Sequence, residues 1–346
     1  MECRDLLYYA PEWLRSSYPA TYYFLVRHLS LLWGWCFGWF DHPLGYALVQ
    51  PVRRAWNLWT ARGLVRRLRQ DPPAVIVTTH FFPTDVVDAC KQAGWLKTPL
   101  VVAVTDLHPH RFWISHSAEA YAVAIPRSAS VLEARGIRPE RIHVQGIPIA
   151  GRFRAAFDRS EVERMFGLQP GRRTLLVTSG GTTIGPFDAV AEALLGMERL
   201  LPGRVQLLIV CGMDGAAVRR LSAKAAASPM PAKVVGFIET MAEAMSISDL
   251  VIAKAGGVTV TEALGRGVPL LLYHVIPGQE QLNAWHAASH GAAIIVPPRG
   301  VPDAVRAIYG QAGKLEAMQQ AARSLGRPDA AERIAVEIVK PLVEGR

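Results

Sequence analysis

The stretch Ser248-Asp-Leu-Val-Ile-Ala-Lys-Ala-Gly-Gly-Val-Thr-Val-Thr-Glu-Ala-Leu-Gly-Arg-Gly-Val-Pro269 decides the fold of this 346-residue chain. A buried apolar strand, Leu250–Ala253, runs into the pair Gly256-Gly257, and a helix is predicted from about Val258. Paired glycines let a ligand approach the backbone, and a new helix offers free N–H groups and a positive dipole end. The pattern predicts a parallel α/β sheet whose strand–helix turn binds a diphosphate. The alternative is a tight turn without a ligand.

Two neighbouring features favour the diphosphate over the empty turn. Glu262 lies one turn into the helix, where its carboxylate can accept hydrogen bonds from a ribose diol. The motif Ile276-Pro-Gly-Gln-Glu-Gln-Leu-Asn283 directly follows the next strand, Pro269–Tyr273, and is read as a sugar pocket rather than a plain polar loop. Amide and carboxylate side chains can form hydrogen bonds with sugar hydroxyls, and the motif offers Gln279, Glu280 and Asn283.

Two further glycine turns are predicted at the same edge of the sheet. Ser179-Gly180-Gly181-Thr182-Thr183 follows one strand and is expected to contact phosphate. Gly236-Phe237 follows another strand and is expected to hold a base through main-chain groups.

Outward from this stretch, short apolar runs alternate with helical segments from Ala74 onward, which predicts doubly wound α/β sheets. The predicted strands are Ala74–Thr79, Leu100–Val104, Ala120–Ile125, Thr174–Thr178, Val205–Val210, Lys233–Val235, Leu250–Ala253, Pro269–Tyr273 and Ala292–Val296. They divide into two Rossmann-like lobes, residues 1–153 and 154–346, with ligands expected in the cleft at the carboxyl ends of the strands. Residues 2–9 are read as the end of a strand, so the first lobe lacks its opening strand–turn–helix unit.

Composition limits the class of protein. Half of the residues are hydrophobic and 19% are charged, which indicates a folded chain, and the net charge is +9. The four cysteines form no CxxC pair, no signal peptide is visible, and the apolar run Leu29–Phe40 is too short to span a bilayer. A cytoplasmic protein on the inner face of the plasma membrane is the expectation.

An aromatic segment precedes a basic one near the start of the chain. The aromatic residues are Tyr22, Tyr23, Phe24, Trp33, Trp35, Trp39 and Phe40, and the basic residues are Arg53, Arg54, Arg62, Arg66, Arg67 and Arg69. Aromatic and arginine side chains together suit the headgroup region of an anionic bilayer, so an anionic membrane surface is the predicted partner, and nucleic acid is not. The alternative is a core helix beside a solvated basic helix.

The motifs together resemble the monogalactosyldiacylglycerol synthases and their bacterial relatives, the processive diacylglycerol glucosyltransferases. More distantly they are similar to the N-acetylglucosaminyltransferase that completes lipid II. In the second half the resemblance rests on Asp249, Ala253–Gly257, Thr259, Glu262-Ala263 and Pro277–Asn283. In the first half it rests on Thr105-Asp106, His110, Trp113 and Gly146–Ile149.

The resemblance implies a GT-B glycosyltransferase that moves a hexose from a UDP-sugar to diacylglycerol and forms a β-glycosyl lipid. It places Phe237 at the uracil and Glu262 at the ribose. The residues implied for the diphosphate are Gly256, Gly257 and Thr259, and those for the sugar are Gln279 and Glu280. The family's N-terminal glycine-rich turn with a histidine has no counterpart in this sequence, and that turn is thought to carry a catalytic group.

Inverting transfer needs a base for the acceptor hydroxyl, and the candidates are His80, Asp106 and His110, which follow predicted strands of the first lobe. Each has an alternative structural use, as a loop histidine or a helix cap.

No DxD motif is present, so no metal and no cofactor besides the UDP-sugar co-substrate is expected. The alternatives are a lipid II-type N-acetylglucosaminyltransferase and a truncated, non-catalytic nucleotide- or membrane-binding relative. An oxidoreductase is disfavoured because no GxGxxG follows a strand.

Overall fold

The structure is a computed structural model that describes residues 2–15, 17, 21, 24–25, 29–181, 185–199 and 204–345. Tyr22, Tyr23, Thr182 and Thr183, which the sequence analysis singled out, lie outside the described residues. Contacts divide the chain into two units. The first comprises Met1–Pro148, Pro277–Gln279 and Ala330–Arg346, and the second comprises Ile149–Ile276 and Glu280–Asp329.

The first unit contains a parallel four-stranded sheet in the order β1-β2-β3-β4. Its strands are β1 (Ile76–Thr78), β2 (Leu100–Ala103), β3 (Ala120–Val123) and β4 (Ile142–Val144). Three of them confirm predicted strands. The strand β4 was missed because it is only three residues long and carries a polar residue, His143, at its centre. The prediction of strand structure for residues 2–9 is wrong, since Leu6–Tyr9 form a 3₁₀ helix capped by Asp5.

Helices cover this sheet. They are α1 (Ser30–Asp41), α2 (Pro43–Thr60), α3 (Arg62–Gln70), α4 (Phe81–Gln92) and α5 (Pro126–Glu133). None of the helices in the described part of the chain has both the length and the apolarity that crossing a membrane requires.

The second unit contains a six-stranded parallel sheet in the order β10-β9-β8-β5-β6-β7. Its strands are β5 (Arg173–Thr178), β6 (Val205–Val210), β7 (Ala232–Val235), β8 (Ser248–Lys254), β9 (Leu270–His274) and β10 (Ala293–Ile295). Its helices are α6 (Arg159–Phe166), α7 (Phe187–Leu195), α8 (Gly215–Ala226), α9 (Met241–Ser246), α10 (Gly257–Gly265), α11 (Gln279–Ser289), α12 (Val301–Gly310) and α13 (Lys314–Leu325).

The central strands of the second sheet, β5, β6 and β8, are mainly apolar because both faces of the sheet are covered. Neighbouring residues of β5 show this: Leu175 packs in the core on one face and Leu176 in the core on the other. Alternate side chains of a strand point to opposite faces, so a doubly covered strand has no solvent-facing position. The chain order reverses between β5 and β8, which makes that pair the topological switch point of the sheet.

The end of the chain belongs with the first unit, whereas the sequence analysis assigned it to the lobe 154–346. The segment consists of α14 (Ala330–Arg333), a π-helical stretch (Ile334–Val339) and α15 (Lys340–Glu344). Ile334 and Ile338 pack on the apolar face formed by β2 and β3. The two isoleucine side chains lie on the same side of the helical segment. They cover the apolar face of the first sheet that β2 and β3 form. The division within the linker falls between Pro148 and Ile149, against the expected residue 153.

The arginine cluster does not form one exposed patch, which corrects the expectation that all of its members face a membrane. Arg53 and Arg54 turn inward and form ion pairs with Asp85 and Asp88 of α4. The exposed members are Arg62, Arg66 and Arg69. Arg67 pairs with Asp71, 2.5 Å from Nη1 to Oδ2.

Candidate donor site and candidate catalytic residues

The turn between β8 and α10 has the geometry of an anion site. Gly256 is the N-cap of α10 with an extended backbone (φ −64°, ψ 134°), and no side chain caps the helix. The N–H groups of the first turn, which includes Thr259, therefore have no side-chain acceptor at the cap. Free N–H groups and the helix dipole favour an anion at this point. This turn lies at the switch point, where Gly256, Gly257 and Thr259 were predicted to hold a diphosphate.

The turn after β5 lies on the other side of the switch point. Gly180 has φ +86°, a region that favours glycine, and its N–H donates to Thr178 Oγ1 over 3.2 Å. Gly212, which follows β6, approaches so closely that a Cβ would lie 2.7 Å from the Gly181 oxygen. Met213 N–H donates to the same oxygen over 3.1 Å. The sequence analysis missed Gly212, and only its place two residues after a strand could have signalled it.

The turn after β7 continues this row. A Cβ on Gly236 would lie 3.5 Å from the Gly212 oxygen, so the turns after β6 and β7 are in contact. Phe237 is 61% exposed, an unusual position for a large apolar ring. An exposed ring at the carboxyl edge of the sheet is available for stacking against a planar base.

Lys254, the last residue of β8, is a site residue to which the sequence analysis gave no role. A Cβ on Gly256 would lie 3.1 Å from its Nζ, and one on Gly180 would lie 3.8 Å from its Cε. The lysine side chain therefore lies between the two glycine turns that flank the switch point. Nζ is 2.7 Å from Glu280 Oε1. An ammonium group beside two backbone turns adds a cation to the predicted diphosphate site.

Two of the three residues predicted to read sugar hydroxyls have partners within the protein. Glu280 accepts from Lys254 through Oε1 and from Ile276 N–H through Oε2 over 3.0 Å. Asn283 is buried, and its Nδ2 donates to the Ala255 oxygen over 3.2 Å. These contacts favour a positioning use for both residues, because Glu280 orients the lysine and Asn283 holds the turn. Gln279 begins α11, and its role at the sugar stays a prediction.

Glu262 lies in α10 and is half-buried. Burial raises the pKa of its carboxyl group to about 7. A carboxylate desolvated in this way gains from hydroxyl donors of a ligand. The position, one turn beyond Gly256-Gly257, suits the predicted contact with a ribose diol.

In the first unit the structure brings two of the three candidate bases to one place. His80 follows β1 and Asp106 follows β2, so both lie at the carboxyl edge of the four-stranded sheet. Trp113 joins them: its Nε1 donates to Asp106 Oδ2 over 2.8 Å, and its ring centroid lies 6.3 Å from that of His80. Burial raises the pKa of Asp106 to about 6, and the Trp113 hydrogen bond opposes this rise.

The two histidines are poorly suited to act as bases. His80 Nδ1 accepts from Phe82 N–H over 3.2 Å and caps α4, so this nitrogen is not available to take a proton. The neutral ring therefore carries its proton on Nε2. His110 is buried, with Nδ1 accepting from Phe112 N–H and Nε2 3.0 Å from the Phe37 oxygen. Burial lowers the pKa of His110 to about 4, which makes its ring a weak base. Asp106 is the remaining candidate.

Comparisons with known proteins cover both units. Residues 1–149 match the profile of the monogalactosyldiacylglycerol (MGDG) synthase family, and residues 174–334 match that of the glycosyltransferase family 28 C-terminal domain. The processive diacylglycerol beta-glucosyltransferase of Bacillus pumilus (strain SAFR-032) is 30% identical over 293 residues, which cover 83% of this chain and 75% of that protein. The protein of the same name from Bacillus subtilis (strain 168) is 29% identical over 292 residues with the same coverage of both chains.

Two solved structures illustrate which known proteins share this fold. Acinetobacter baumannii MurG has a TM-score of 0.59 at 19% identity, with 82% of this chain and 78% of that chain covered. The UDP-GlcNAc 2-epimerase of Neisseria meningitidis, solved with UDP-GlcNAc bound, has a TM-score of 0.62 at 15% identity, with 81% and 79% covered. At this identity the likeness shows the fold alone.

The sequence-based predictions of a GT-B fold and of a glycosyltransferase are confirmed. The matched profiles span the candidate base in the first unit and the glycine turns in the second. The chain belongs to the GT-B glycosyltransferase family that includes the processive diacylglycerol β-glucosyltransferases and the monogalactosyldiacylglycerol synthases.

Proposed function

We propose that the protein is an inverting hexosyltransferase that moves a hexose from a UDP-sugar to diacylglycerol and forms a β-glycosyl lipid. The observation that carries the proposal is Lys254 between two glycine turns at the switch point of the second sheet. A cation, free helix N–H groups and close backbone approach together match a sugar diphosphate better than an uncharged ligand. The names of the relatives, diacylglycerol beta-glucosyltransferases, support the lipid acceptor.

In the proposed reaction Asp106 removes the proton of the diacylglycerol hydroxyl. The hydroxyl oxygen then attacks the anomeric carbon of the sugar, and the bond from that carbon to the β-phosphate oxygen breaks. UDP leaves with the bonding electron pair, and Lys254 and the first turn of α10 stabilise the negative charge on its diphosphate. Glu262 holds the ribose and Phe237 stacks on the uracil. Neither a metal ion nor a further cofactor takes part in this proposal.

The acceptor implies where the protein works. Diacylglycerol is held in a bilayer, so we propose that the protein is peripheral and acts on an anionic membrane surface at the inner face of the plasma membrane. The net charge of +9 and the exposed Arg62, Arg66 and Arg69 support an anionic surface. The four cysteines are free thiols, which fits a reducing compartment.

The direct test supplies the protein with UDP-glucose, UDP-galactose or UDP-N-acetylglucosamine and with diacylglycerol in anionic vesicles. Lipid products are identified by mass, and the anomeric configuration by NMR. A β-hexosyl diacylglycerol is the expected product. UDP binding without a lipid product from any donor would contradict the proposal and favour a non-catalytic nucleotide-binding relative. Transfer of N-acetylglucosamine to a polyprenyl-type acceptor in place of diacylglycerol would favour a lipid II-type activity.

A further inference from the structure

The helix α2 has its polarity reversed relative to an ordinary surface helix. An ordinary helix turns its apolar stripe to the core and its polar face to water. In α2 every exposed position is apolar: Pro43, Leu44, Ala47, Leu48, Pro51, Val52, Ala55, Trp56 and Trp59. Leu44, Leu48 and Val52 are 71%, 70% and 72% exposed. A stripe of this kind is not a scatter of single surface residues.

The polar residues of α2 face the protein interior. Gln50 Nε2 and Asn57 Nδ2 donate to Asp85 over 3.0 and 2.8 Å. Arg53 and Arg54 form ion pairs with the carboxylates of α4. This network fixes which face of α2 looks outward, because turning the helix over would leave the Asp85 and Asp88 carboxylates buried without their partners.

The helix α1 extends the apolar surface. Its exposed side chains include Leu32, Trp35 and Trp39, and the two tryptophan rings stack with centroids 6.4 Å apart. At the far end of α2, Trp56 and Trp59 lie 5.4 Å apart. Over the described side chains from residue 29 to residue 60, His42 is the one exposed polar residue.

The order of residues along α2 and α3 identifies the occupant of this surface. Aliphatic side chains come first, then Trp56 and Trp59, then the exposed Arg62 and Arg66 of α3. A lipid bilayer presents the same order, with acyl chains, an interface that accepts tryptophan, and phosphate groups. The charge of this surface argues against a symmetric dimer in which two copies of the chain pair through it. Asp41 is the single acidic residue between positions 29 and 70, so the surface carries basic charge without an acid to meet it.

We propose that the outward faces of α1 and α2 insert into the acyl region of a lipid bilayer, with Trp56 and Trp59 at the interface and Arg62 and Arg66 at the phosphate level. The 18 residues of α2 extend over about 27 Å, so a tilt of the helix places its aliphatic start deeper in the bilayer than its tryptophan end. The anchor is apolar, and charge only adds to it. The inference rests on the proposed function in one respect, since that function brings the protein to a membrane-borne acceptor.

The test compares the double variant Leu48→Gln, Val52→Gln with the control Met165→Gln, Val336→Gln. The control residues are exposed and apolar but lie outside this surface. Sedimentation with neutral and with anionic vesicles in high salt measures apolar binding, and quenching of tryptophan fluorescence by lipids brominated in their acyl chains measures insertion. We expect the first variant to lose roughly tenfold or more of its partitioning into both kinds of vesicle, and to lose quenching, while the control keeps both.

Equal partitioning of the two variants would overturn the proposal. So would a dimer of the unaltered protein, in lipid-free solution, that the first variant dissociates, because the occupant would then be a second copy. Transfer to a short-chain, water-soluble diacylglycerol separates the two proposals. If the unaltered protein is active on that acceptor but does not bind vesicles, the proposed function is supported and the anchor is refuted. If the protein binds vesicles through Leu48 and Val52 but has no transferase activity, the anchor is supported and the proposed function is refuted.

Discussion

At the scale of single residues, the pair Lys254–Glu280 is the part of the donor site that is most specific for a diphosphate. The Lys254→Met variant keeps the length of the side chain and removes its charge. We expect its affinity for UDP to fall by about 1.5–3 kcal/mol, typical of a charge-assisted hydrogen bond, while its affinity for uridine changes little. Calorimetry with both ligands checks this. Equal losses for UDP and uridine would place the lysine away from the diphosphate.

Glu262 gives the donor site a pH dependence whose sign follows from its raised pKa. The carboxyl is half protonated near pH 7 without ligand, and ribose hydroxyls donate to its ionised form. UDP affinity should therefore rise between about pH 6 and pH 8 and level off above that range. Glu262→Gln should weaken binding by about 1–3 kcal/mol at pH 8. The variant should also lose the part of the pH dependence that belongs to this carboxyl.

The matched control for Glu262 is Glu316→Gln, an exposed residue of α13. Calorimetry at several pH values on the three proteins separates the carboxyl from the titration of the UDP phosphate, which is common to all of them. An unchanged affinity and pH profile in a folded Glu262→Gln protein would remove Glu262 from the site.

Asp106 is expected to be the base, and its raised pKa predicts the acid limb of the rate profile. The rate constant kcat should rise with pH through about 6 as the carboxyl ionises. Asp106→Asn should lower kcat by about 10²–10⁴-fold and abolish this limb, with UDP affinity unchanged. Trp113→Phe removes a hydrogen bond to the ionised form, so the limb should move to higher pH. A limb that stays in place in both variants would assign it to another group.

At the scale of elements, the C-terminal segment is expected to stabilise the first unit. Ile334 and Ile338 are buried against β2 and β3, whereas Val336 between them is 56% exposed. Ile334→Ala and Ile338→Ala should each lower the free energy of unfolding by about 2–4 kcal/mol, and Val336→Ala should change it by less than about 0.5 kcal/mol. Denaturant unfolding measures all three. Similar small effects at all three positions would mean that the segment is only loosely held.

At the scale of the whole molecule, charge and apolar surface should contribute separately to membrane binding. Arg62 and Arg66 are exposed, whereas Arg53, Arg54 and Arg67 form ion pairs with carboxylates of the protein itself. Arg62→Gln with Arg66→Gln should weaken binding to anionic vesicles by about 2 kcal/mol at low salt, since each basic residue near such a surface contributes about 1 kcal/mol. Binding to neutral vesicles should stay the same.

Salt supplies the control for this prediction. Rising salt should remove the preference of the unaltered protein for anionic vesicles and leave the apolar part of its binding. A variant that loses binding to neutral vesicles as strongly as to anionic ones would contradict the separation of the two contributions.

The sequence by itself predicted most of the strands and the family, both of which are confirmed, and it predicted the place of the candidate donor site. Those features are local: a buried strand, a glycine pair and a helix start within a dozen residues, as between Leu250 and Glu262. Periodicity of apolar residues is enough to identify such elements. It was not enough for β4, because His143 at the centre of this three-residue strand interrupts the apolar run.

Only the tertiary structure decided which side chains meet and which faces look outward. Lys254 gained a role because β5 and β8 are neighbours in the sheet, although 69 residues lie between the end of β5 at Thr178 and the start of β8 at Ser248. The outward face of α2 followed from Asp85 and Asp88, which draw its polar residues inward. Both results depend on contacts between residues distant in sequence, and a local pattern carries no information about such contacts.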